Sequence, residues 1–575
     1  MIRRFSLPGI LLGYAVLCVV GIDWGLPGRH VDPYLFGDAE PWSGERIAEL
    51  AGAGEKTSAT RGADVDADPL ARGDGPVLLT DTPEKVAAIY LRYRLYTHQP
   101  DEMITMMALA QMRPGEGDLD PRLYQYGGLF IYPVGALIAA CGQVGLIEVR
   151  PDLVYYLDHP EAFARFYIAA RAYVAAWGVF GVLVVYLIAR RLAGHGAGLL
   201  AAGLFALLPV VVCMSHEAKP HLPGAVLMLT AVWLAMRYVE SGRRRDWLGT
   251  SAACGAAFGM VLSALPIFIL IPLVELVRVY RGGVRLARAV GRATLGVLLG
   301  GGVYVATNPY VVINLFANRE VLRSNFGNSL AMYAVDRLGE GLLRMLELTV
   351  EGAGPFVVVV GVVAMVWLVH RRRGEALLLA VPTLLLFIQF TMIGADKPAE
   401  YARFGVFIDA VLAIAVTWGL TRATRNQSAR SVQAVALLAL VWTAPFGAVY
   451  LIGFAADTPP KNTRLVAAKA LAENTEPIAV LAEPAPYCCP PLNFAVRQVW
   501  LYGSIVHWRH AQQETGTRQV SEPAPSLVDP LDTPLPESAN QYRPRAWRCL
   551  GRPHLFLGET PISWANKLIY AFPAP

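Results

Sequence analysis

The sequence predicts a mainly α, polytopic membrane protein of about eleven transmembrane helices, with a small extracytoplasmic α/β domain at its C-terminal end. Three observations carry that expectation. Of the 575 residues, 55% are hydrophobic and only 17% charged, against about 45–50% and about 25% in soluble domains. Long uncharged runs recur, such as Gly196 to Met214 and Phe356 to Val369. Short arginine clusters stand beside those runs, as cytoplasmic charge does in membrane proteins.

The elements follow in order, taking about 20 apolar residues per crossing and basic clusters as inner ends. A first helix near 7–24 runs outward; Arg3 and Arg4 stay inside, and no small-x-small pattern before Asp23 marks a cleavable signal peptide. A long outer segment follows, with a stretch near 52–75 whose Gly, Ala, Asp and Arg content predicts partial disorder. Its apolar run Leu129 to Ile147 is read as an interfacial or re-entrant helix, because a crossing there would put later arginine turns on the wrong side.

Helix two, near 166–189, ends at Arg190-Arg191, and helix three, near 196–214, exits at Ser215-His216. Helix four, near 223–239, returns to Arg243-Arg244-Arg245, and two more divide near Leu262 to Pro266. Helix seven, near 293–307, exits at Asn308-Pro309-Tyr310, and helix eight, near 354–370, returns to Arg371-Arg372-Arg373. Helices nine (375–394), ten (403–421) and eleven (431–454) lead out to a polar tail. There, a helical pattern from Thr463 to Asn474, a strand-like run from Pro477 to Leu481 and Pro-rich linkers near 522–536 predict a small α/β domain. The expected organisation is therefore a first helix (1–25), an extracytoplasmic loop (26–165), a helical core (166–454) and an extracytoplasmic C-terminal domain (455–575). No internal repeat is evident.

The net charge of +5 is spread over membrane-flanking clusters, so no nucleic-acid partner is expected. Four of the seven cysteines, Cys18, Cys141, Cys213 and Cys254, fall in apolar runs and act there as small hydrophobes. Cys488, Cys489 and Cys549 lie in the tail; whether they pair is open, and no metal-ligand spacing is present.

Chemistry gathers in the outer loops. The first carries His98-Gln99-Pro100-Asp101-Glu102, Met112-Arg113-Pro114, Asp120-Pro121 and Tyr126-Gly127-Gly128-Leu129-Phe130-Ile131-Tyr132-Pro133. Further along stand Arg171, the run Arg190-Arg191-Leu192-Ala193-Gly194, Ser215-His216, Asn308-Pro309-Tyr310 and Tyr401-Ala402-Arg403. Over about residues 85–420 this pattern resembles the GT-C superfamily of membrane glycosyltransferases. It is closest to the protein-mannosyltransferase-like kind, glycosyltransferase family 39.

The resemblance implies the GT-C fold in the plasma (inner) membrane, and the one-sided arginine clusters predict a cytoplasmic N-terminus and an extracytoplasmic C-terminal domain. It implies transfer of a sugar from a polyprenyl-phosphate donor to a glycan, lipid or protein acceptor at the membrane's outer face, and no cofactor. Asp101 takes the position of the general base, with Glu102 orienting the site. An acceptor hydroxyl must lose a proton to a carboxylate in reach, and the leaving phosphate needs cations aimed at it. Lys219, Arg403, His216 and His221 are the candidates for holding the donor phosphate. His221 stands where relatives carry an acid, which removes support for a bound divalent metal; Glu217 is a lesser substitute.

Each residue also has a plainer reading. Asp101 and Glu102 could cap a helix, Lys219 could snorkel to the interface, Arg403 could be a salt-bridged anchor, and Arg171 needs a structural ion pair. Asp38, with Glu40, rivals Asp101 because it follows the first helix more closely. A transporter, or a non-catalytic membrane scaffold, is the alternative function; the inverted repeats of a transporter are not seen.

Overall fold

The computed structural model describes residues 6–52, 77, 78, 80, 82–371, 373–395, 397–459, 461–472, 478–481, 489–502, 527, 528 and 565. Arg3, Arg4, Arg372, Asp396, Cys488, Cys549, nearly all of the stretch near 52–75 and most of 522–536 lie outside the described residues. The chain is mainly helical and divides into two compact units. One comprises Met1–Val20, Ala108–Leu137 and Ala170–Leu451; the other comprises Gly21–Met107, Ile138–Ala169 and Ile452–Pro575. The outer loop and the tail, separate in the sequence reading, thus belong to one unit.

Helices occupy every place where a span was expected. Among the described residues seven are long and apolar enough to cross a membrane, or up to nine if each of two bent pairs counts as one crossing. This is a multi-span membrane protein. The first helix, Leu7–Val19, has only 13 residues, and Arg244–Met260 has 17, so both fall short of a full crossing taken alone. Gly128–Gln143, 16 residues with Pro133 inside, rises about 24 Å at 1.5 Å per residue, less than the roughly 30 Å of a hydrocarbon core.

The spans end where the sequence punctuates them. Pro160–Ala193 carries Arg190 and Arg191 in its last turn, where cations complement the helix dipole, and Gly194 follows at φ 92°. The third span is broken: His195–Leu207 and Pro209–Ser215 meet at 64°, because Pro209 lacks an N–H and cannot continue the helix. Arg244–Met260 and Leu286–Thr307 touch backbone to backbone. A methyl on Gly255 would stand 2.1 Å from the Gly300 carbonyl oxygen, the small-residue contact that membrane helices use.

Charges near the ends of these helices are paired. Arg237 Nη2 lies 3.0 Å from Asp246, Arg191 bonds Glu240, and the Tyr238 hydroxyl donates to Glu275 at 2.7 Å. Pairing offsets the cost of charge at membrane depth.

In the other unit, four strands form one sheet in the order Val77–Leu78, Val499–Tyr502, Ile478–Leu481, Leu527–Val528. The first pair is antiparallel, with Val77 opposite Leu501; the others are parallel. A strand of the outer loop therefore completes the sheet of the tail. The helix Thr463–Leu471 is capped by Asn462, whose Oδ1 accepts from Arg464 N at 2.8 Å and Leu465 N at 3.3 Å.

Candidate functional site

The acidic motif opens the helix Pro100–Ala110. Proline is well suited to a first turn, where its missing N–H costs nothing. The capping is done by the residues before it: Asp101 N donates to Gln99 Oε1 at 3.3 Å, and Gln99 N donates to Thr97 Oγ1 at 3.1 Å. Asp101 is therefore not the cap. It stands half-buried in the first turn, where the helix dipole favours an anion. Glu102 is fully buried and accepts the Thr97 hydroxyl at 2.6 Å.

His98, just before the motif, is held as firmly. Its N–H donates to the Gly25 carbonyl at 2.9 Å, and its Nδ1 stands 3.0 Å from Asp457 Oδ2 and 3.1 Å from Arg464 Nη1. Asp457 Oδ1 accepts from Asn462 Nδ2 at 2.8 Å. Burial and the Arg464 guanidinium push the His98 imidazole down to about 4, against the pull of Asp457, so it is neutral at physiological pH. The rivals Asp38 and Glu40 are exposed, beyond Gly37 at φ 60°. Asp32, nearer the first helix, pairs with buried Arg94 at 2.9 Å.

The basic candidates belong to the membrane unit. Lys219 is fully buried; its ammonium lies 2.8 Å from Glu400 Oε1 and 3.4 Å from Glu217 Oε2. Arg403 pairs with the same Glu400 oxygen from one turn away, and its guanidinium lies over the rings of Tyr401 (4.7 Å) and Phe404 (5.4 Å). Lys219 and Arg403 thus converge on Glu400, with Glu217 beside the lysine. The snorkelling alternative for Lys219 does not describe a side chain enclosed by two carboxylates.

His221 is 7% exposed and sits edge-on to Phe404 (4.9 Å) and Tyr126 (6.2 Å); with Arg403 it lines a small cavity of about 10 Å³. His216 has turned elsewhere. Its Nδ1 lies 2.7 Å from the Val212 carbonyl and its Nε2 2.9 Å from the Val20 carbonyl, so both ring nitrogens face backbone oxygens. Arg171 is fully buried.

Two outer-loop motifs prove to be architectural. A Cβ on Gly127 would stand 1.9 Å from the Gly259 oxygen, and one on Gly128 would stand 2.1 Å from the Thr307 oxygen. Only glycine allows that approach. Gly128 N donates to Asn308 Oδ1 at 2.7 Å, which explains why Tyr126-Gly127-Gly128 and Asn308-Pro309-Tyr310 occur together. Asp120 likewise accepts from Tyr124 (2.9 Å) and Asn314 (2.6 Å).

Sequence reasoning missed Glu400 as the hub, although its spacing of three from Arg403 was visible, and passed over Thr97 and Asp409. Asp409 is fully buried, and neither of its oxygens has a hydrogen-bond partner among the described residues. No group of three or more His, Cys, Asp or Glu side chains among those residues could hold a metal ion.

Comparison with known proteins bears on the same loops. No curated protein matches this chain. Among solved structures it is similar to ArnT from Cupriavidus metallidurans bound to undecaprenyl phosphate: 15% identity over 84% of this chain and 95% of that one, TM-score 0.43. It is also similar to the oligosaccharyltransferase AglB from Archaeoglobus fulgidus in complex with an inhibitory peptide and a dolichol-phosphate: 14% identity over 86% and 64% of the two chains, TM-score 0.40. Against another structure of the Archaeoglobus fulgidus oligosaccharyltransferase, with Zn and sulfate, identity is 13% and the TM-score 0.36. The match covers 65% of this chain and only about half, 54%, of that one. Residues 165–282, which include the Ser215–His221 loop, match the sequence model of the dolichyl-phosphate-mannose-protein mannosyltransferase family. Over that stretch the chain resembles the protein-mannosyltransferase-like membrane glycosyltransferases, the kind its loop motifs pointed to.

Proposed function

We propose that the protein is a membrane glycosyltransferase that moves a sugar from a polyprenyl-phosphate donor to a glycan, lipid or protein acceptor at the extracytoplasmic face. The observation that carries this reading is the family match over residues 165–282, a stretch that contributes buried Lys219 and Glu217 to a cluster with Glu400 and Arg403.

In this reading Asp101 is the general base. It takes the proton of the acceptor hydroxyl as the new oxygen–carbon bond forms at the sugar's anomeric carbon. The bond from that carbon to the phosphate oxygen breaks at the same time, through an oxocarbenium-like state, and the departing phosphate keeps the electron pair. Glu102, fixed by Thr97, holds the first turn that carries Asp101.

Arg403 is the donor-phosphate contact, its guanidinium oriented by Tyr401 and Phe404; a planar fork suits phosphate recognition. Lys219 is a positioning residue that fixes Glu400 and, through it, Arg403. His221 shapes the wall beside Arg403.

The test is comparative mass spectrometry of envelope lipids, glycans and proteins from cells carrying the gene, lacking it, or carrying Asp101→Asn. One sugar mass missing from the same acceptor in the last two is the expected result. No difference among the three would overturn the reading.

A further inference from the structure

A cavity of about 160 Å³ lies between the helix Leu7–Val19, the bent pair His195–Leu207 and Pro209–Ser215, and the helix Ala429–Ala456. Its origin is the break at Pro209. Gly447 is pinned against that break, since a Cβ there would stand 2.3 Å from the Leu207 carbonyl oxygen, so the helix Ala429–Ala456 cannot shift to close the gap. Beside Gly447, Ala444 and Ala448 are too small to fill it.

Every polar side chain on the wall already has a protein partner. The Tyr14 hydroxyl bonds Ser215 Oγ, Ser215 Oγ donates to the Val211 carbonyl at 2.6 Å, and His216 is occupied on both nitrogens. A buried water needs two to four polar partners, and apolar cavities of roughly 150 Å³ stay dry yet accept a hydrocarbon such as benzene. Ala448 stands exposed at the mouth. On the two helices that contribute Tyr14, Leu17, Ala444 and Ala448 to the wall, Leu12, Val16 and Val441 are 68, 55 and 56% exposed, so these apolar helix surfaces face the bilayer's hydrocarbon.

We propose that this cavity is a lipid site that takes the end of a phospholipid acyl chain entering sideways from the bilayer. The phospholipid is favoured over the polyprenyl carrier by mass action: it surrounds the mouth in vast excess, so even weak affinity fills the site. The proposal is independent of the glycosyltransferase reading.

The test uses the full-length protein in phospholipid nanodiscs doped with a phosphatidylglycerol whose acyl chain ends in a diazirine, followed by photolysis and peptide mapping. Labelling is expected to concentrate on Leu17, Cys18 and the 444–451 stretch, severalfold above the exposed lipid-facing residues Val359, Val362, Val363 and Val366. Ala448→Phe should abolish that excess, and Val441→Phe on the same helix should leave it. Equal labelling of both regions would mean bulk lipid only, and the wild-type map alone decides this. Label that persists in Ala448→Phe, or that added polyprenyl phosphate displaces while added phosphatidylglycerol does not, would also overturn the proposal.

Discussion

Replacing Lys219 by Met asks what the buried charge cluster is worth. The ammonium lies 2.8 Å from Glu400 and 3.4 Å from Glu217. At an effective dielectric of about 20 these separations correspond to gross attractions of about 6 and about 5 kcal/mol. Most of that offsets the desolvation of the charges, but removing the ammonium takes a bridging cation from two buried carboxylates, and breaking such a pair typically costs about 3–5 kcal/mol. The expected result is a loss of stability of that size, read from unfolding of the purified protein in a denaturing-detergent titration followed by tryptophan fluorescence. The double variant Glu217→Gln/Lys219→Met restores the formal balance, leaving Glu400 with Arg403. It should therefore recover part of the loss, with a coupling of about 0.5–3 kcal/mol between the two positions. A single variant within about 0.5 kcal/mol of the parent, or a double variant whose losses simply add, would refute the claim that these ions stabilise one another.

Other perturbations test other parts. Asp101→Asn should lower turnover by about 10² or more, as loss of a general base does, while Asp38→Asn, in an exposed turn, should stay within a few-fold; the reverse order in a transfer assay would move the centre to the earlier loop. Because His98 stays neutral in the folded protein down to about pH 4, the unfolded chain takes up its proton first below pH 6.5. Its contribution is complete above that value and declines as pH falls toward 4, by up to about 3 kcal/mol. His98→Gln should flatten this slope in melting curves taken across that range. Gly352→Ala would put a methyl 2.5 Å from Asp409 Oδ2 and 3.4 Å from Val210 Cβ, so thermal melts should show a loss of about 1–3 kcal/mol, typical of overpacking. Reporter fusions after Arg245 and after Pro459 should read inside and outside; both on one side would overturn the N-in, C-out topology drawn from the arginine clusters.

The spans were legible because lipid imposes its own grammar: apolar runs of fixed length, closed by Arg190-Arg191 or Arg243-Arg244-Arg245 and interrupted at Pro209 and Pro266. What escaped the sequence depends on separation. Lys219 meets Glu400 across 181 residues, and nothing local marks either as the other's partner. The outer loop's strand is two residues long, too short for any alternation to announce it. The Tyr126-Gly127-Gly128 motif was visible as a pattern, yet its physical reason, a backbone passing within contact of Gly259 and Thr307, became apparent only in three dimensions. At the acidic motif the contacts of Gln99 with Asp101 N and of Thr97 with Gln99 N were likewise not legible from the residues alone.

The sheet that joins Val77–Leu78 to Val499–Tyr502 also constrains how the protein is made. The two segments lie 421 residues apart in the chain, which at a synthesis rate of about 5–20 residues per second is roughly 20–80 s of translation. During that interval Val77–Leu78 has already emerged while the strand it pairs with is still unmade. An unpaired strand edge is a site for wrong partners, so this unit depends on the prompt arrival of Val499–Tyr502. A chain truncated before residue 499 would keep its apolar spans and still lack the strand that joins Val77–Leu78 to Ile478–Leu481.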